Sequence, residues 1–274
     1  MNFISKISKY KKYIIISCII IIIIGLGLGL GLGLGLKKHN FSLNNLSKTD
    51  CNLQPCEFNN CKSNEVCKVK VACVGDSITW GYGVKNNIKT DSYPAQLGLL
   101  LGDKYTVCNF GCPGRAYNRL SALPYNLSDG FTQSIDKLPN IVIIMLGTND
   151  SDPDFWVNQD FFEEETTWMI TQFLNIASKP KVYVCLPPPI FCDNDIPPDI
   201  QIFNNNIIPG LKNVVSLFNQ QGINIKIINV NGAFLDTSGN PNPIYSKFFP
   251  DCLHPNKYGN FIIANTVYQA LTNN

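Results

Sequence analysis

Five short runs rich in Val and Ile, held apart by longer stretches of which several have helical character, constrain this chain more than any other feature. They are KVKVACV (68–74), YTVCNF (105–110), IVIIML (141–146), KVYVCL (181–186) and IKIINV (225–230). Near-continuous apolar strands are those buried on both faces of a sheet. Between them, SYPAQLGLLLG (92–102) opens on a serine cap and closes on glycine, as helices do. QDFFEEETTWMITQFLNIAS (159–178) places acidic residues early along an apolar stripe, and NKYGNFIIANTVYQAL (256–271) closes the chain. A third apolar stripe covers 199–222, where Pro209 and Gly210 are expected to break or kink the helix. Strand alternating with helix predicts an α/β chain with a mostly parallel five-stranded sheet between helices. Ligands of such sheets bind outside the carboxyl ends of the strands.

Before this body the composition changes. YIIISCIIIIIIGLGLGLGLGLGL, residues 13–36, carries no charge and is long enough to cross a bilayer. Its alternating glycines weaken a helix in water, but in lipid every backbone polar group must be paired internally, so the helix is the expected state. A cleaved signal peptide is the alternative, with the body then secreted; the apolar run exceeds the usual 7–15 residues and no small-residue cleavage site follows. Lys6, Lys9, Lys11 and Lys12 precede the span and only Lys37 and Lys38 follow closely. That bias places a short cytosolic tail at 1–12, a transmembrane anchor at 13–36 and the remainder in the lumen or outside the cell. The membrane is then one partner of the chain, through residues 13–36.

Eleven cysteines agree with an oxidising compartment. Cys18 lies in the span, and Cys51, Cys56, Cys61 and Cys67 crowd a polar segment, 37–67, that reads as a disulfide-stapled linker. Zinc is the alternative there, with loose spacings and only His39 nearby. Cys112 or Cys252, if bridged, would pin a loop beside candidate chemistry, and a Cys185–Cys192 bridge would close the Pro-rich loop; the alternative is that some cysteines are simply small buried residues. The sequons at Asn45 and Asn126 fit glycosylation on the same side of the membrane. Charge excludes one class of partner. The formal +2 includes six lysines before residue 39, which leaves −4 for the rest, no footprint for nucleic acid.

The first strand runs into CVGDSITWGYG (73–83). Ser77 there is either a turn residue or a nucleophile, and a nucleophilic serine needs a base. From residue 40 onward the chain contains one histidine, His254, in PDCLHPNKYG. Asp251 stands three residues before it, a spacing at which a carboxylate can fix the imidazole tautomer and stabilise the imidazolium. NFGCPGR (109–115) follows the second run and GTND (147–150) the third. The glycines of the first can turn a backbone N–H outward, and Asn149 of the second offers an amide. Donors of that kind stabilise a developing oxyanion.

Gly75-Asp76-Ser77-Ile78, the Asn109…Gly114 stretch, Gly147-Thr148-Asn149-Asp150 and Asp251-Cys252-Leu253-His254 together resemble the four sequence blocks of the SGNH (GDSL-type) hydrolase superfamily, in that family's order and across 68–274. The resemblance implies a three-layer α/β/α sandwich with a flavodoxin-like sheet over 68–274. It implies Ser77 as nucleophile, His254 as base and Asp251 as its orienting acid. The oxyanion hole would be the Ser77 and Gly114 N–H groups with the Asn149 side chain, and neither a cofactor nor a metal is implied. The Gly-x-Ser-x-Gly elbow of the α/β-hydrolases is absent.

LGTNDSDPDFW and CLPPPIF resemble the carbohydrate-esterase-like branch, which points to an acylated small molecule or glycan as substrate and to removal of acetyl groups. Trp80, Tyr82 and Trp156 follow the chemical blocks and are candidate substrate contacts; core packing is their alternative role. Arg115 and Arg119 hold either an anionic substrate group or, by preference, an acidic side chain. A lipid acyl hydrolase of the same superfamily and a non-catalytic carbohydrate-binding ectodomain are the competing functions. An enzyme that needs neutral imidazole loses activity as pH falls through about 6–7, where imidazole titrates.

Overall fold

The computed structural model describes residues 51, 53–54, 56–57, 67–192 and 198–273. Five strands, β1 (Val69–Gly75), β2 (Tyr105–Gly111), β3 (Ile141–Met145), β4 (Lys181–Cys185) and β5 (Lys226–Ile228), form one sheet in the order β2-β1-β3-β4-β5. Every pairing is parallel: Val71 lies beside Val107 of β2 and Ile141 of β3, and Val184 lies between Ile144 and Ile227. All five expected strands are present, within a residue or two at their ends, and the last is the shortest.

Alternation along these strands builds two cores. Ala72, Val74, Val142, Ile144, Val182 and Val184 face one side. They pack there against α4 (Gln159–Leu174) through Met169, Ile170 and Phe173, and against α5 (Ile208–Gln220) through Leu211 and Val214. α3 (Asp129–Asp136) adds Phe131 and Ile135 to this layer. Val71, Cys73, Ile143, Met145, Tyr183 and Cys185 face the other side, against Leu97 of α2 (Tyr93–Leu101) and Ile263, Ala264 and Val267 of α6 (Lys257–Thr272). The result is a three-layer α/β/α sandwich. Both clusters bury side chains almost completely, which is why the strands read as continuous apolar runs rather than as alternating ones.

Pro209 does not break the helix over 199–222. A π-helical turn, Phe203–Ile207, stands immediately before α5 and puts Pro209 in the first turn of that helix. Proline has no N–H to give the carbonyl four residues back, and the wider turn accommodates the loss. Gly210 is needed for packing: a β carbon there would stand 3.0 Å from the Phe162 ring.

The expected transmembrane helix is corrected here. Among the described residues no helix is long and apolar enough to cross a membrane. The longest α-helices among the described residues, α4 and α6, have 16 residues each. At about 1.5 Å per residue they fall short of a hydrocarbon core of about 30 Å. Residues 13–36, on which the expectation falls, lie outside the described residues. The anchor, the membrane as a partner and the single-pass placement with a luminal or extracellular body are withdrawn with it.

The cysteines pair across the fold. Cys51 bonds Cys112, Cys56 bonds Cys108 and Cys192 bonds Cys252, so the segment before β1 is stapled to β2 and the loop beyond it. Cys185 does not close the Pro-rich loop: on β4 its side chain points into the core, where it and Cys73 are buried free thiols. Burial pushes both thiols up, Cys73 to about 12, so neither is a thiolate near neutrality.

Candidate active site

The strand order reverses between β1 and β3, and in such sheets the crevice lies at the carboxyl ends of those two strands. β1 ends at Gly75, where a β carbon would collide with the Thr79 side chain and the Met145 carbonyl, so only glycine lets the chain turn there. Asp76 then caps a one-turn helix, α1 (Ser77–Trp80), by accepting the Ile78 N–H at 2.9 Å. Gly81, at φ 99°, ends that turn in a conformation glycine adopts without strain. Ser77 is thereby held at the head of α1, only 7% exposed.

His254 arrives from a loop 177 residues further on. Its Nε2 lies 2.8 Å from Ser77 Oγ, and its Nδ1 lies 2.7 Å from Asp251 Oδ2. The other carboxylate oxygen of Asp251 accepts the backbone N–H groups of His254 (2.7 Å) and Leu253 (3.1 Å), so the three-residue spacing fixes the carboxylate to its own turn. Burial alone would raise the Asp251 carboxyl. The His254 N–H, the imidazole and the Leu253 N–H outweigh it and hold the group below its ordinary value. Asp251 is half exposed and His254 15% exposed at the side chain, so the relay opens to solvent on the aspartate side. The Tyr82 ring lies 4.5 Å from the imidazole, tilted by 41°.

The loop after β2 supplies the other wall. Gly114 stands at φ 73°, and Cys112 donates its N–H to Gly75 O, which joins this loop to the end of β1. Asn149, after β3, donates from Nδ2 to Arg115 O at 3.0 Å and approaches Asp76 Oδ2 at 3.4 Å. The second distance is at the edge of hydrogen-bonding range, which leaves amide capacity for a further acceptor. Two buried carboxylates clamp the loop from behind. Asp150 accepts the N–H groups of Tyr117 (3.0 Å) and Asn118 (2.9 Å). Glu165, on α4, accepts the Arg119 N–H and both arms of its guanidinium, each at 2.8 Å. Arg119 also lies over the Trp168 ring. Burial pushes Asp76 up to about 7 and Asp150 up to about 6, against the N–H groups that lower them.

Ser77, Asp251 and His254 are thus brought together, with Asn149 and the Gly114 loop beside them. Tyr82 meets the histidine and is 44% exposed, and Trp80 lies 6.4 Å from Tyr82. The Trp156 ring lies 6.1 Å from the Phe162 ring, tilted by 44°, and packs with the core instead. Sequence reading missed Glu165, whose partners lie 46 residues away, and gave Asp150 no separate role although it follows Asn149 directly. Among the described residues no group of three or more His, Cys, Asp or Glu side chains is placed to hold a metal ion.

Residues 73–261 match the GDSL-like Lipase/Acylhydrolase family. The chain belongs to that family. That family is one of GDSL-like lipases and acylhydrolases. The chain is 29% identical over 220 residues to an acetylxylan esterase of Xylanibacter ruminicola, covering 74% of this chain and 43% of that protein, so it spans less than half of that relative's length. A carbohydrate acetylesterase from Sinorhizobium meliloti shares the fold at a TM-score of 0.55 and 21% identity, over 75% of this chain and 99% of that one. An acetylxylan esterase from Geobacillus stearothermophilus does so at 0.56 and 19%, over 74% and 94%.

Proposed function

We propose that Ser77 is the nucleophile of this esterase, activated by His254, which Asp251 orients. His254 Nε2 takes the Ser77 proton as Oγ attacks the acyl carbon. The negative charge that develops on the carbonyl oxygen is received by the N–H groups of Ser77 and Gly114 and by Asn149 Nδ2. The imidazolium returns the proton to the leaving alcohol, and an acyl-enzyme remains. Water, deprotonated by the same imidazole, releases the acid and restores Ser77. The relay Ser77 Oγ–His254 Nε2 at 2.8 Å and His254 Nδ1–Asp251 Oδ2 at 2.7 Å carries this reading. The hydrolase domain is then residues 68–274, with 37–67 as a linker to it.

The substrate is a carbohydrate bearing acetyl esters. Likeness to an acetylxylan esterase, and to two structures named for acetyl-ester cleavage from carbohydrate, supports this choice. Tyr82, exposed beside His254, and Trp80 behind it offer aromatic surface for a sugar face or a small acyl group. Hydrolysis of p-nitrophenyl acetate and octanoate, and acetate release from acetylated xylo-oligosaccharides, test the assignment. Preference for acetate together with deacetylation of the oligosaccharide is expected. Preference for octanoate with no deacetylation would replace it with a lipid acyl hydrolase.

A further inference from the structure

His254 and Asp251 stand on a stretch with no regular secondary structure, between the buried Phe249 and α6. Three contacts hold that stretch to the segment 186–192 that leaves β4, and a fourth closes the stretch on itself. Cys252, placed between Asp251 and His254, bonds Cys192. The Cys252 carbonyl accepts the Phe191 N–H at 3.0 Å, and the Cys252 N–H donates to Phe249 O at 2.8 Å, closing the turn. The Phe191 and Phe249 rings lie 4.6 Å apart. The segment 186–192 is itself anchored: Leu186 donates to Ile228 O and accepts the Asn231 N–H, and Asn231 Nδ2 donates to Pro187 O. Cys252 also adopts φ 67°, the left-handed region that a residue with a β carbon enters only when its surroundings enforce it.

We propose that the Cys192–Cys252 disulfide is a positioning device for the base, holding the Asp251–His254 turn at the height that sets Nε2 against Ser77. This rests on His254 being the base. The turn has no helix or strand ladder of its own, and the bridge enters it between the two residues that must be aligned. With the bridge open, the turn relaxes Cys252 out of the left-handed region, and that rotation moves Asp251 and His254 relative to Ser77. Esterase activity is therefore coupled to the oxidation state of this pair. A dithiol reductant opens it by attacking one sulfur to form a mixed disulfide. That attack releases the other cysteine as a thiol; the reductant's second thiol then attacks the reductant's own sulfur in the mixed disulfide and displaces the bound cysteine, leaving two cysteine thiols and a cyclic oxidised reductant.

The test compares the full chain with Cys192→Ala/Cys252→Ala, Cys192→Ala/Cys252→Gly and His254→Ala in p-nitrophenyl acetate hydrolysis, with folding followed by thermal melting. A displacement of about 1 Å at a reacting group costs about 10²-fold, so the double alanine variant is expected to lose tenfold or more in kcat with KM within about twofold. Glycine at 252 adopts the left-handed conformation freely and is expected to recover several-fold of that loss. Wild-type kcat in both bridge variants, while His254→Ala is inactive, overturns the positioning role alone. Retained activity in His254→Ala instead overturns the assignment of the base, and the positioning role with it. If the alanine variant does not fold, the native chain is treated with dithiothreitol and its opened cysteines are mapped by alkylation. Unchanged kcat in protein alkylated at Cys192 and Cys252 then overturns the proposal.

Discussion

Asn149 and the buried Asp76 face each other across 3.4 Å beside Ser77, and the two side chains answer to different measurements. Removing one oxyanion donor commonly costs about 10²–10³ in kcat. Asn149→Ala is expected to fall in that range with little change in KM, and equal losses in kcat and 1/KM would contradict the role. Asp76 is a question of stability. Burial raises its folded-state value from 3.8 to about 7, so between those values the folded chain keeps a proton that the unfolded chain releases. Stability from this group is full below about pH 4 and is lost as pH rises to about 7. Urea unfolding between pH 4.5 and 7.5 should give a falling ΔG, with a shallower fall in Asp76→Asn; parallel curves would contradict the assignment. Asp150, raised to about 6, contributes in the same direction over a narrower window. Ser77, Asp251 and His254 were readable because each sits in a local pattern: a strand followed by Gly-Asp-Ser, and an aspartate three residues before the sole histidine of the body. Glu165 was not, because a carboxylate in the middle of a helix gives no sign that its partner is a loop 46 residues earlier.

At the scale of elements, the histidine turn is also packed by the helical turn Tyr82–Val84. A β carbon on Gly83 would collide with the Pro255 carbonyl and stand 3.0 Å from that of His254. Gly83→Ala is therefore expected to push the His254–Pro255 backbone outward and lower kcat about tenfold or more, the loss that a displacement of this order produces. A melting temperature near wild type would accompany it, since Gly83 itself is exposed. A wild-type kcat in Gly83→Ala would mean that the turn yields without moving the imidazole. The strands were legible as apolar runs, and the two terminal helix patterns as stripes. The π-helical turn before Pro209 was not, because the sequence states that proline cannot continue a ladder but not which of a break, a kink or a widened turn the packing selects.

Across the whole molecule, the segment before β1 is joined to the sheet at two points, Cys51–Cys112 and Cys56–Cys108. The first closes a loop of 61 residues, and Cys112 lies two residues before Gly114. Because Cys56–Cys108 is nested inside it, the loop this bridge adds is about ten residues, which limits the unfolded chain by about 3 kcal/mol in the chain-entropy account. Cys51→Ala/Cys112→Ala is expected to lose about 2–4 kcal/mol of unfolding free energy, read by denaturant titration. No loss would place the stabilising effect elsewhere. Cysteine composition implied bridges but not their partners, because pairing depends on which loops the sheet order brings together. The transmembrane helix was inferred from composition alone, and nothing in the described fold supplies one.

A serine mechanism leaves a covalent intermediate, and the most direct measurement is of that intermediate. The esterase would be mixed with p-nitrophenyl acetate, quenched in acid within the first turnovers, digested and read by mass spectrometry. An acetyl group on Ser77, absent from Ser77→Ala and strongly reduced in His254→Ala, is the predicted result. Turnover by the wild-type chain with no acetyl on Ser77, or undiminished turnover by Ser77→Ala, would contradict it.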